Sequence, residues 1–436
     1  MNYRPFTLSF LLLSTLYSFA QPDSTTVMDY LRVNNETLDP GSAKTPVLFD
    51  GDFYEQQLFL FGETHGSAEP HSVDIYLFKI LYAKAGVRNY IAEVDDTKAW
   101  MLNSYLEDGK EEWLKKVFAS WIRDTAQWAS QENFNKYREL RKFYQSLPAT
   151  GKFRIIGIDL TQDYSLLKEH LAWILAQSKP VKGAMYVDTL KQMVDTITAS
   201  GRRELAGFSR RFLGQLSQNM RLAGTTGKNH KQFLHLLRSF SFVEKGVTRD
   251  SILYQNFVDY VEGYDIPDEK FYGLLGYFHC LTAGFNKVPT FASLLQSSSD
   301  TFSGKIRTMV MQASSGKMML PLTAQLKMVM PRVVIEKALR SDPVYADGRY
   351  IPYDLSNDQP MMMIKGVEYL KRFSEPKGIT LFRLNAAGSP YAAGKLSAEV
   401  SGFQTLKFTD PGAVTTDAFS YILFFRDAHA CTPLPR

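Results

Sequence analysis

The sequence predicts an α/β fold: a mostly parallel sheet flanked by helices, with a helical insertion and a strand-rich C-terminal segment. Three observations predict it. Short apolar runs such as Leu58-Phe59-Leu60-Phe61 lack the alternation of a sheet with one wet face, so both faces must be covered. Helical periodicity separates these runs, as in Val73, Tyr76, Leu77, Ile80 and Leu81. The runs also end in glycine, acids or histidine, where open α/β sheets bind ligands.

Composition bounds the function. The 436 residues are 45% hydrophobic and 22% charged, an ordinary globular balance with enough chain for one large core and an insertion. A formal net charge of +5 is small for this length, and no Lys/Arg block or nucleic-acid motif is present. A nucleic-acid partner is therefore not expected. Two cysteines, Cys280 and Cys431, cannot make a disulfide framework and leave a single bridge open.

Taken in order, residues 1–20 read as a signal peptide. Arg4 precedes an apolar run from Phe6 to Phe19, and Ser18-Phe19-Ala20 offers small residues for cleavage after Ala20. The mature protein is expected in the periplasm or outside the cell. It should carry no transmembrane anchor, since no later stretch approaches the roughly 20 apolar residues of a spanning helix.

Residues 21–50 form a polar lead-in with one short helix at most, given the turn signals Asn34-Asn35 and Asp39-Pro40-Gly41. Residues 51–161 are the first part of an α/β catalytic domain. A strand empties into Gly62-Glu63-Thr64-His65-Gly66-Ser67, and a helix follows, closed by Gly86. A strand from Val87 to Val94 closes on Glu93 and Asp95, and residues 97–147 are helical and rich in Trp and Tyr. A third strand, Phe153 to Ile158, ends in Asp159. Residues 162–246 carry helix-type pattern and read as an insertion capping the sheet.

The second part of the domain spans 247–340. A helix starts at Arg249-Asp250, a strand over Lys270 to Phe278 leads to His279, and Ile306 to Met311 is a fifth strand. Helix-type pattern then runs from Met318 to Leu339. Residues 341–436 complete the sheet, with Ile379 to Leu384 and Tyr421 to Phe425 as the clearest strands.

The strand-end residues are Glu63, His65, Glu93, Asp95, Asp159 and His279, with Arg249 aimed at them from its helix. In a parallel sheet they converge on one edge. Two chemistries suit the set. An imidazole held by a carboxylate can take a proton from water that attacks an ester, while a second histidine or an arginine stabilises the oxyanion. Alternatively, His65, Glu93 and His279 could ligate a divalent metal with an open position for water. A third, non-catalytic reading makes the aromatic helical region a binding module for a glycan or peptide. No Gly-x-Ser-x-Gly elbow and no P-loop is present.

The ordered series Gly62-Glu63-Thr64-His65-Gly66-Ser67, Ile91-Ala92-Glu93-Val94-Asp95, Gly157-Ile158-Asp159, Arg249-Asp250 with Asn256, Gly276 to His279 and Tyr421 to Asp427 resembles the erythromycin-esterase-like family. That family belongs to a wider group with haem-uptake and Tiki-type proteins. The resemblance implies an esterase-type hydrolase fold in which His65 is the general base, oriented by Glu63 and Glu93. His279 and Arg249 would polarise or bind a small-molecule substrate, with Asp159 and Asp95 beside it. The family's opening motif usually has one more residue between its Glu and His. Antibiotic-cleaving members carry two histidines on the later strand, where this chain has Gly276 and His279. The expectation is thus an exported esterase-like hydrolase acting on a carboxylic ester or lactone. The alternative is a metal- or haem-binding protein, or a metal-dependent hydrolase, built on the same histidines.

Overall fold

All six residues of Leu58–Glu63 are buried, because this strand lies inside an eight-stranded sheet covered on both faces. The computed structural model describes residues 23–176, 185–197, 201–218, 224–360, 362–402 and 405–436. The expected signal peptide, residues 1–20, falls outside them. No helix among the described residues is long and apolar enough to cross a membrane.

Along the chain the strands are β1 (Asn35–Leu38), β2 (Leu58–Glu63), β3 (Asn89–Ala92), β4 (Arg154–Gly157), β5 (Phe271–Gly276), β6 (Ile306–Ser314), β7 (Gly316–Pro321), β8 (Tyr350–Leu355), β9 (Met362–Ile364), β10 (Gly378–Arg383), β11 (Val400–Gly402) and β12 (Tyr421–Arg426). The main sheet runs in the order β1-β10-β12-β6-β2-β5-β3-β4. From β12 to β4 all neighbours are parallel, whereas β10 and β1 add antiparallel strands at one edge. The fold is therefore α/β with a mostly parallel sheet, as the uninterrupted apolar runs require.

Successive side chains of a strand point to opposite faces, and each face has its own helices. Phe59 and Phe61 enter a core with residues of Glu69–Lys84, Asp96–Asp108, Glu111–Arg123 and Gln131–Ser146. Leu58 and Leu60 face Leu253 and Phe257 of Arg249–Tyr264 and Phe291 of Phe291–Ser298. The stretch 162–246 is mostly helical where described. Its helices, including Tyr164–Ala176, Arg202–Gln218 and His230–Ser241, bury a separate core around Leu171, Phe212 and Leu237. His170 anchors them to the sheet domain by stacking on Trp100, with ring centroids 4.6 Å apart.

Three expectations needed correction. The lead-in is more than a polar connector: after the helix Ser24–Val33, Asn35–Leu38 pairs with β10 as the edge strand of the main sheet. Only Leu38 of that strand is buried, so no apolar run marks it. The helix-type pattern from Met318 begins instead as β7, which pairs antiparallel with β8. Met319 N donates to Gly66 O at 2.8 Å, so tertiary pairing overrides the local pattern. Helices follow only at Ala324–Val329 and Arg332–Ser341, broken at Pro331. The fourth strand also stops at Gly276, and Tyr277–Cys280 forms a 3₁₀ turn that carries His279.

Gly157 ends β4 beneath the loop that leaves β3, and a Cβ there would lie 2.5 Å from Asp95 O. Backbone cannot yield as a flexible side chain would. Gly157→Ala is expected to cost about 2–3 kcal/mol, measured as a lower urea midpoint with unchanged slope.

Candidate active site

The strand order places β2, β5, β3 and β4 side by side, so their carboxyl ends present Glu63, Gly276, Glu93 and Asp159 along one edge. Glu63 closes β2 and is buried. Two residues on, His65 turns back so that its Nδ1 lies 2.9 Å from Glu63 Oε1. An ionised carboxylate only accepts, so neutral His65 carries its proton on Nδ1 and leaves Nε2 with a free lone pair. The ring leans on Trp128 at 4.8 Å between centroids, and its side chain is 23% exposed. Gln127 Nε2 donates to His65 O at 3.1 Å and to Met319 O at 2.9 Å, tying the loop to β7.

Gly276 makes room for this ring. A Cβ at 276 would begin 2.9 Å from His65 Nε2 and 3.5 Å from Glu93 Oε2. The imidazole thus lies across the end of β5, where a side chain would displace it.

Glu93 sits at the centre. Its Oε2 accepts from Gly276 N at 2.6 Å, and its Oε1 accepts from Arg249 Nη2 at 2.7 Å. The same Oε1 lies 3.8 Å from His65 Nε2 and 3.6 Å from His279 Nε2. One oxygen therefore faces both imidazoles. Arg249 is held from behind, donating from Nε and Nη2 to the two oxygens of Asp159 at 3.0 and 2.6 Å. His279 Nδ1 lies 2.7 Å from Asp250 Oδ1, which also accepts from Phe291 N at 2.7 Å. Its Nε2 faces Arg249 Nη1 at 3.3 Å.

These contacts set the charges. Burial alone would raise Glu93, but His65, His279, Arg249 and the Gly276 N–H outweigh it and hold the carboxyl at about 2. Burial works against charging His65, yet Glu93 and the Glu63 hydrogen bond raise its pKa above the ordinary 6.5. Burial likewise opposes a charged His279, but Asp250 and Glu93 raise it. Asp159 is raised by burial and by Glu93, against the pull of Arg249. The signs follow. Stability from the raised histidines is full below about pH 6.5 and is lost as pH rises through their folded values. Stability from Glu93 is present above its ordinary 4.5 and is lost as pH falls towards about 2.

Of the residues singled out in the sequence, the structure brings together Glu63, His65, Glu93, Arg249 and His279. Two expected substrate contacts have other tasks. Asp95 accepts from Lys98 N at 3.0 Å, capping the helix Asp96–Asp108, and its other oxygen pairs with buried Lys98 Nζ at 2.7 Å. Asp159 spends both oxygens on Arg249 and positions it. Asp250 was missing from the site set although it stands next to Arg249; an acid in the first turn of a helix reads equally well as a dipole partner. Trp128, one of the aromatic residues of the 97–147 helical region, forms a wall against His65.

The residues do not fit the alternative metal site. Among the described residues no group of three or more His, Cys, Asp or Glu is arranged to hold a metal ion. Glu93 Oε1, the oxygen shared by both histidines, is already paired with the Arg249 cation, which would repel a dication there. Cys280 and Cys431 are both free and buried, so the open bridge is not made.

No family model and no curated protein matches the sequence. Solved structures do match in three dimensions. A Bacillus cereus protein superposes with a TM-score of 0.65 at 13% identity, covering 95% of this chain and 100% of that one. A succinoglycan biosynthesis protein gives 0.65 at 13% identity, covering 94% and 98%. An erythromycin esterase, a variant in its open conformation, gives 0.58 at 13% identity, covering 90% and 98%. The chain therefore has an erythromycin-esterase-like fold.

Arg249→Met would strand Glu93 and Asp159 without their cation. Discounted for the partial exposure of Arg249, the expected loss is about 2 kcal/mol. Because both freed carboxyls then take up protons more readily, urea denaturation should show a smaller deficit at about pH 4.5 than at about pH 7.5. A deficit equal at both would refute this account of the ion pairs.

Proposed function

We propose that this chain is an exported hydrolase that uses His65 to activate water against a carboxylic ester or lactone. The observation that carries the reading is His65 itself: Nδ1 is bound to the Glu63 carboxylate, and Nε2 is left at the partly open mouth of the site. The shared fold with an erythromycin esterase supports the same reaction class.

The steps balance on residues in place. Water gives a proton to His65 Nε2 as its oxygen bonds to the carbonyl carbon, and the carbonyl π electrons move to oxygen. Arg249, kept cationic by Asp159 and Glu93, faces that position and donates to the oxyanion, and His279, whose Nε2 lies beside Arg249 Nη1, adds a second donor when a proton is on that nitrogen. Collapse of the intermediate breaks the bond to the alcohol oxygen, which takes its proton from His65. Glu93 holds both donors and the base within reach of one substrate group without consuming a proton, because its carboxyl stays ionised. Export rests on Arg4, the apolar run to Phe19 and the Ser18-Phe19-Ala20 site.

Hydrolysis of a panel of simple and lactone esters tests the reading. His65→Ala is expected to lose about 10²- to 10⁴-fold in kcat, and His279→Ala about 10²- to 10³-fold, with both variants folded and wild-type activity unaffected by a chelator. An active His65→Ala enzyme would sink the proposal. Because the base must be neutral and its pKa is raised, activity should climb with pH on an acid limb centred above about 6.5; a limb centred below it counts against His65. Intact mass of the exported protein should place its first residue at Gln21.

A further inference from the structure

Behind the His65–Glu63 pair lies a small cavity whose lining includes Glu63, His71, Trp128, Asn133 and Lys136. Val94, Trp121 and Leu274 share its lining with these polar groups, and it has room for about one water molecule, which buried polar groups of such a wall can hold. Its wall carries unspent hydrogen-bonding capacity. Glu63 uses Oε1 on His65, while its buried Oε2 has no partner among the described residues. The buried His71 Nδ1 has none either.

Lys136 also lines this cavity and is only 7% exposed. Its Nζ lies 3.2 Å from Asp74 Oδ2 and over the ring of Tyr137 at 5.1 Å. Asp74 in turn accepts from Tyr90 Oη at 2.5 Å. A buried ammonium is costly, and one anion and two rings, Tyr137 and Tyr90, do not use all three donors of Lys136, which lines the cavity.

The groups facing Glu63 divide by charge. On its outer side stands His65; on its inner side stand His71, from the helix Glu69–Lys84, and Lys136 beside Tyr137, from Gln131–Ser146. Burial lowers His71 to about 4, so it is neutral at ordinary pH. Lys136 is therefore the permanent cation behind Glu63.

We propose that Lys136, acting through water held in this cavity, is a positioning residue that keeps Glu63 a carboxylate and thereby sets the tautomer of His65. This rests on reading His65 as the base. A carboxylate accepts from Nδ1–H and leaves Nε2 basic. A protonated Glu63 can instead donate to Nδ1, which moves the imidazole proton to Nε2 and removes the lone pair that water needs.

Histidine ¹⁵N NMR reads the tautomer directly and uses no ester. The His65 signals are assigned by their loss in His65→Gln, and Lys136→Met is compared with the wild type. Because a lone Asp74 could prevent folding, Lys136→Met/Asp74→Asn is measured beside it. In a folded variant, neutral His65 should shift from Nδ1–H to Nε2–H, and its titration midpoint should fall by about one pH unit, a tenfold change. The kcat of any hydrolysis should fall with little change in KM.

An unmoved tautomer and midpoint would overturn the proposal. So would a rise in midpoint, which would mean that Lys136 acts on His65 by charge alone. If the tautomer shifts but no ester is hydrolysed by the wild type, the positioning role stands and the proposed activity falls.

Discussion

The arrangement depends on the Glu93 carboxylate being buried and fully bonded at the end of β3. A buried charge is tolerated only when compensated, and Glu93 receives the Gly276 N–H, the Arg249 guanidinium and two nearby imidazoles. These partners come from β5 and the 3₁₀ turn after it, from the helix Arg249–Tyr264 and from the loop after β2. The cost of that carboxylate therefore draws distant pieces of chain together. Parallel pairing of β2, β5 and β3 supplies the spacing that lets one side chain reach them all.

The acids around the site have different tasks despite similar chemistry. Glu63 orients one histidine and Asp250 the other, each through Nδ1, so that both Nε2 atoms point inward. Asp159 holds the arginine, and Asp95 caps a helix. Burial differs little among them. What differs is the partner each meets, and the partner determines whether the carboxylate aims a base, fixes a cation or ends a helix.

Two glycines show how close this packing is. Gly276 lets the His65 ring cross the end of β5, and Gly157 lets the loop after β3 pass over β4. Either position would put a Cβ within 3 Å of an atom that the site needs in place. A second histidine at position 276 could not be accommodated with His65 in this position. This chain reaches a two-imidazole site by drawing its second histidine from the loop after β2.

The central parallel strands, the helices between them and the convergence of Glu63, His65, Glu93, Arg249 and His279 were legible in the sequence. Each of these strands is a continuous apolar run, which periodicity detects, and Glu63, His65, Glu93 and His279 lie at or just past the end of such a run, whereas Arg249 opens a helix. What tertiary structure decided was pairing. Asn35–Leu38 is a strand only because β10 lies beside it, and Met318-Met319 leaves its helix-type pattern because Gly66 and β8 offer backbone partners. Asp95 and Asp159 looked like substrate contacts because position at a strand end is local, whereas their partners, buried Lys98 and Arg249, were settled by side-chain direction and burial. Lys136 and His71 left no mark at all, since a lysine and a histidine on helices look solvated until packing buries them beside Glu63. Sequence alone determined which residues could do chemistry. Only the fold decided which of them face one another, because burial and hydrogen-bond pairing belong to the three-dimensional neighbourhood.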